Sequence, residues 1–163
     1  MPLDSGSLQF LGFFAALLLS CSALALIDIR RGIIPDGLNL FIAVVGLANA
    51  TIDGGATAGI DALGEAVAVG VIFWLLRRIY FVLRRIQGLG LGDVKLLAAA
   101  TPWIGITGIP MLLLIATLMA LAAVGSLQLA GQNMTRQTSL PFGPFLAIGL
   151  LAAFVAQKIF GSA

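Results

Sequence analysis

The chain has no histidine and one cysteine, Cys21. Those two shortages remove much of the usual catalytic repertoire. Without histidine there is no Ser-His or Cys-His dyad, no HExxH zinc site and no imidazole proton shuttle. With a single thiol, neither an internal disulfide nor a CxxC metal pair can form. Charge is scarce as well: Asp, Glu, Lys and Arg make up 10% of the 163 residues, against about 25% in ordinary soluble domains. Chemistry here must come from carboxylates, Lys, Tyr, Ser, Thr or the lone thiol.

Apolar side chain is what the sequence has in excess, at 60% of residues. A water-soluble fold cannot hide that much, so lipid must cover part of it. The fold expected is all-α, a polytopic membrane bundle of about six transmembrane helices forming a single domain over 1–163. The first apolar run, Leu8 to Ile27, has twenty residues without a charge, which matches the roughly 20 needed to cross a bilayer core. It reads as a span rather than a cleaved signal peptide, because Met1 to Ser7 carries Asp4 and neither Lys nor Arg. Hydropathy places spans at roughly 8–29, 38–53, 58–80, 92–108, 109–131 and 140–160. No charge occurs from Leu96 to Thr135, and Gly105, Gly108 and Pro110 supply the expected break within that stretch.

Charge tests this partition. With the N-terminus outside, Arg30, Arg31, Arg77, Arg78, Arg84, Arg85, Lys95 and Arg136 fall on the cytoplasmic side, and only Lys158 falls outside. Asp4, Asp53, Asp61 and Glu65 all fall outside. That bias is what the positive-inside rule demands, so an N-out, C-out chain in the cell inner membrane is expected. Arg77 to Gln87 brackets an aromatic-aliphatic cluster with two arginine pairs, a composition suited to an interfacial helix or, alternatively, to docking an acidic partner.

Three acids remain on the cytoplasmic side: Asp28, Asp36 and Asp93. Asp28 ends the first apolar run and Asp93 begins the fourth, so both sit at similar depth near one membrane boundary. Ionisable groups at that depth usually face a bundle interior or a wet cavity. Two carboxyls brought together in a partly dry site share a proton, and an aspartic protease uses such a pair: the ionised member activates water while the neutral one supports the carbonyl oxygen. Gly90 and Gly92 before Asp93 give backbone freedom and room for another chain. Bland readings stand beside these. Asp93 could cap a helix, Asp28 could pair with Arg30, Arg31 or Arg84, and Asp36 between Pro35 and Gly37 suits a turn. Lys95 is either a positive-inside charge or an electrostatic bias on the carboxylate pair.

Three strings now coincide in order. Asp28-Ile-Arg-Arg-Gly-Ile-Ile-Pro-Asp36 resembles the first aspartate loop of type IV prepilin peptidases. Gly90-Leu-Gly-Asp93-Val-Lys resembles their GxGD segment, and Leu140-Pro-Phe-Gly-Pro144 resembles the motif that opens their last helix. The resemblance implies a membrane aspartic endopeptidase that removes the basic leader from pilin-like precursors at the cytoplasmic face. It implies Asp28 and Asp93 as the catalytic pair. It also implies Gly90, Gly92, Lys95, Pro141, Phe142, Gly143 and Pro144 as substrate-binding or loop-shaping residues. No metal, no cofactor and no nucleic-acid partner are expected. The larger members of that family carry paired CxxC motifs and methylate the new N-terminus, so peptidase activity without methyltransferase activity is expected here. The sequence leaves two other readings open: a small ion- or proton-coupled transporter component, and a non-catalytic pilus assembly factor. The precursor cleaved and the oligomeric state are not legible.

Overall fold

A computed structural model describes residues 5–85, 89–129 and 141–160. Asp4, Gln87, Arg136 and Leu140 lie outside the described residues. Among the described residues four helices follow one another: α1 (Ser5–Arg31), α2 (Asp36–Arg84), α3 (Leu91–Leu129) and α4 (Gly143–Phe160). Among the described residues there is no strand. Leu24, Leu97, Leu112 and Leu150 belong to a shared core. The outer faces are apolar too, with Leu19 and Leu83 70% and 74% exposed. Such a surface is stable only in lipid, and α1, α2 and α3 are each long and apolar enough to cross a membrane, with α4 a shorter apolar helix.

At 49 residues α2 would extend roughly 74 Å if straight, more than twice the bilayer core. It does not run straight. Gly55 breaks it with φ 78° and ψ −176°, a conformation open essentially to glycine alone. The chain folds back there: a Cβ added at Gly59 would collide with Thr51, and one cavity is lined by both Leu40 and Val67. Gly105 breaks α3 in the same way, at φ 66° and ψ 169°. Before that break Trp103 packs edge-on against Phe154 of α4, at 5.5 Å between ring centroids. After it, Gly149 of α4 lies against Leu112 and Ala116, so the second half of α3 runs back along α4. The two reversals divide four continuous helices into six segments that overlie the six expected stretches. The α3 break falls on Gly105 alone, whereas Gly108 and Pro110 lie in the helix that follows.

α1 runs antiparallel to α4: Phe10 and Phe14 stack on Phe154 at 6.1 and 6.3 Å, while Asp28 meets Gly143. Trp103 joins α3 to α2 by donating from Nε1 to the Ile42 carbonyl at 2.8 Å. Gly46 makes room for that indole, since a Cβ there would lie 2.5 Å from Nε1.

Charge sorts to the ends. Arg30 and Arg31 close α1, Arg84 closes α2, and Lys95 lies in the second turn of α3, all at one end. At the other end Lys158 lies 3.4 Å from Asp53, and Glu65 accepts a 2.8 Å bond from the Ile106 N–H, satisfying a donor exposed by the break at Gly105. Arg77 to Arg84 are not a separate interfacial helix. They are the last turns of α2, which stops where Arg85 turns left-handed at φ 57°. The segment after Gly55 has about 29 residues, or roughly 43 Å, longer than a bilayer core of about 30 Å.

Candidate active site

Asp28 occupies the last turn of α1. The helix ends three residues later at Arg31, and Gly32, at φ 64°, returns its N–H to the Asp28 carbonyl at 2.8 Å. This left-handed glycine cap turns the chain immediately past the carboxylate. Gly32 to Pro35 then lead into α2, whose Asp36 lies on the rim of the same cavity.

Asp93 is the third residue of α3. Gly90 is the cap, because its carbonyl accepts the first helical bond from Val94 at 3.3 Å. Asp93 is therefore not the capping residue. It stands inside the first turn, with its carboxylate folded back beside Gly90. Neither Gly90 nor Gly92 has positive φ, so unusual backbone conformation is not what they provide. Close approach is. A Cβ at Gly90 would lie 2.9 Å from Asp93 Oδ2, and one at Gly92 would lie 3.0 Å from the Ile34 Cβ. Gly92 lets α3's start press against the loop that follows Asp28, and Gly90 leaves room for the Asp93 carboxylate.

The third contribution comes from α4. Phe142 caps this helix, its carbonyl accepting bonds from Phe145 and Leu146 at 3.1 Å each. Gly143 is the first helical residue, so its N–H has no partner within the helix. Asp28 Oδ2 accepts that N–H at 2.9 Å in a buried contact. A Cβ at position 143 would lie 2.6 Å from the same oxygen. Any side chain larger than hydrogen would push the carboxylate away.

Asp28 and Asp93, 65 positions apart in sequence, thus line one cavity of about 800 Å³ and interact electrostatically across it. Asp28 is only 5% exposed, yet it lines this cavity. Gly90, Gly92, Lys95, Pro141 and Phe142 line it as well. Pro144 does not; it is buried in the first turn of α4. Lys95 points at Asp36 rather than at the carboxylate pair, with Nζ 2.7 Å from Oδ1. Asp28 pairs with none of the arginines suggested for it; Gly143 is its partner. Among the described residues no three His, Cys, Asp or Glu side chains gather as a metal site would require. The Gly143 contact and the Asp36–Lys95 pair were not foreseen as contacts from sequence. A helix start that holds glycine at its first position, directly after Pro141-Phe142, is the one local signal that a neighbour comes close there.

A family model described as "Type IV leader peptidase family" matches residues 14–125. Several proteins named "Prepilin leader peptidase/N-methyltransferase" are similar to the chain. One from Xanthomonas campestris pv. campestris is 38% identical over 140 residues, covering 83% of this chain and 47% of the relative. One from Burkholderia pseudomallei is 38% identical over 147 residues, 90% of this chain and 45% of the relative. One from Escherichia coli K12 is 38% identical over 152 residues, 91% of this chain and 62% of the relative. The chain thus spans about half the length of the first two and under two thirds of the third. No solved structure matches it significantly.

Proposed function

Since the chain belongs to the type IV leader peptidase family, we propose that it is a membrane aspartic endopeptidase, cleaving the leader from pilin-like precursors with Asp28 and Asp93 as its catalytic pair. One observation carries this reading. Two acids from different helices open onto a single cavity at the end of the bundle that gathers the arginines, and a backbone N–H from a third helix holds Asp28. The arginine bias supports placing that end at the cytoplasmic face of the inner membrane, with both termini outside and residues 1–163 acting as one peptidase domain.

The chemistry follows from the groups present. The ionised carboxylate takes a proton from a water molecule as the water oxygen bonds to the scissile carbonyl carbon. The protonated carboxyl gives its proton to the carbonyl oxygen. Collapse of the tetrahedral diol breaks the C–N bond, with a proton delivered to the leaving nitrogen, so the products are a carboxyl terminus and a free amine. Gly90 and Gly143 keep side chains away from the acids, and Gly92 makes room for Ile34 in the cavity wall. Pro141 and Phe142 line the cavity from the α4 side, Pro144 fixes the first turn of α4, and Lys95 pairs with Asp36.

The test is direct. A purified pilin-like precursor incubated with the detergent-solubilised or reconstituted protein should lose the mass of its leader. A precursor whose mass stays unchanged, across candidate precursors from the same cell, would refute the peptidase reading.

A further inference from the structure

A second cavity of about 610 Å³ continues from the first, and Asp36 and Lys95 border both. It is a groove between the two arms of α2 and the start of α3. Its walls are mostly small residues, Ala43, Ala66, Gly70 and Ala98, with the exposed side chains of Leu40 and Val67 at its lips. Polar surface is almost confined to the end that adjoins the candidate active site. There stands Asn39, one turn along α2 from Asp36. It is 5% exposed, and neither its Oδ1 nor its Nδ2 has a hydrogen-bond partner among the described residues. An unpaired buried amide works against folding, so its presence beside an otherwise apolar groove calls for a partner from elsewhere.

We propose that this groove seats the apolar membrane-embedded segment of the substrate that continues from the scissile bond, and that Asn39 pairs with substrate backbone. The inference rests on the peptidase reading and goes beyond it by naming the surface that holds the uncut chain. Three physical points favour this occupant. The groove leads away from the carboxylate pair along α2 and α3 into the membrane-spanning part of the bundle, where only an apolar segment is stable. Small wall residues let a helix come close, the arrangement that drives helix association in lipid. Where the substrate is extended for cleavage its freed N–H and C=O groups need partners, and an amide side chain offers a donor and an acceptor together. A lipid acyl chain fits the walls but has no use for the amide. Both Asn39 atoms are shielded in the resting protein, so pairing follows a turn of the side chain as the substrate arrives.

The experiment compares two substrates in the same reconstituted protein: a short soluble peptide covering only the cleavage site, and the full membrane-embedded precursor. Asn39→Leu removes the amide at similar volume, and Ala66→Leu fills the groove from its lip. Each is expected to raise KM for the full precursor about tenfold, the equivalent of one buried hydrogen bond or packing contact, and to leave cleavage of the short peptide unchanged. Asn39→Leu should also unfold no lower in temperature than the unsubstituted protein. A photo-crosslinking residue in place of Val67 should capture the precursor. Equal effects of both substitutions on the two substrates, no effect on either, or crosslinks to lipid alone would overturn the groove assignment. Failure of the unsubstituted protein to cut either substrate would instead count against the proposed function itself.

Discussion

Replacing Gly143 by alanine is the smallest change that tests how Asp28 is held. The added methyl would lie 2.6 Å from Asp28 Oδ2, 3.0 Å from its Cγ and 3.3 Å from its Cβ. Ordinary contact begins near 3.4 Å, so the carboxylate or the start of α4 must shift by about 0.8 Å. The carboxylate is fixed by one buried bond of 2.9 Å to the same residue, so that bond stretches or breaks. A misplacement of about 1 Å typically costs a catalytic group ~100-fold in rate. The fold should survive, because alanine is favoured over glycine inside a helix by up to ~1 kcal/mol, which offsets part of the lost bond. Gly143→Ala is therefore expected to lower kcat for leader removal by roughly 30- to 100-fold, with KM nearly unchanged and thermal unfolding in detergent shifted by no more than a few degrees. Steady-state cleavage of a labelled precursor reads both constants. A kcat within twofold of the unsubstituted protein would show that the α4 contact does not set the geometry of Asp28.

Other changes test other parts of the account. Gly105→Ala forces a side chain into a conformation at φ 66° and ψ 169°, and should destabilise the bundle by ~1–3 kcal/mol in a detergent unfolding titration. Gly46→Ala drives a methyl against Trp103 Nε1, at 2.5 Å, and should cost ~1–3 kcal/mol while reducing the protection of the indole from quenchers. Lys95→Met removes an exposed ion pair with Asp36, so its effect on stability should stay below ~1 kcal/mol. If Lys95→Met instead abolished cleavage at unchanged stability, the lysine would be acting on the carboxylate pair and not only on Asp36.

What could be read from the sequence was whatever is local or periodic. Long apolar runs located the helical segments, and the arginine pairs sorted the ends. A break within the forty uncharged positions was legible from Gly105, Gly108 and Pro110 together, but not that it falls on Gly105. Asp28 and Asp93 were legible as candidates because an acid beside an apolar run is conspicuous. Contacts across the bundle were not. The glycine that opens α4 signals at most that some neighbour comes close, not that the neighbour is an acid 115 positions away, and nothing near Lys95 signals Asp36, 59 positions away. The role of Glu65 was hidden for the same reason: it read as an acid on the outer side, yet it satisfies the N–H of Ile106 that the Gly105 break leaves unpaired. The arginine-rich stretch misled in the other direction. Composition suggested a separate helix there, whereas the backbone simply continues α2 as far as Arg84.

The central claim is that Asp28 and Asp93 act as one unit, and measured cleavage rates for Asp28→Asn, Asp93→Asn and the double variant in one reconstituted system test it most directly. Each single change should lower kcat by ~1,000-fold or more with the bundle still folded, and the double variant should be no worse than either single one, as for groups that work together. Full processing by either single variant, or losses that multiply in the double variant, would contradict it.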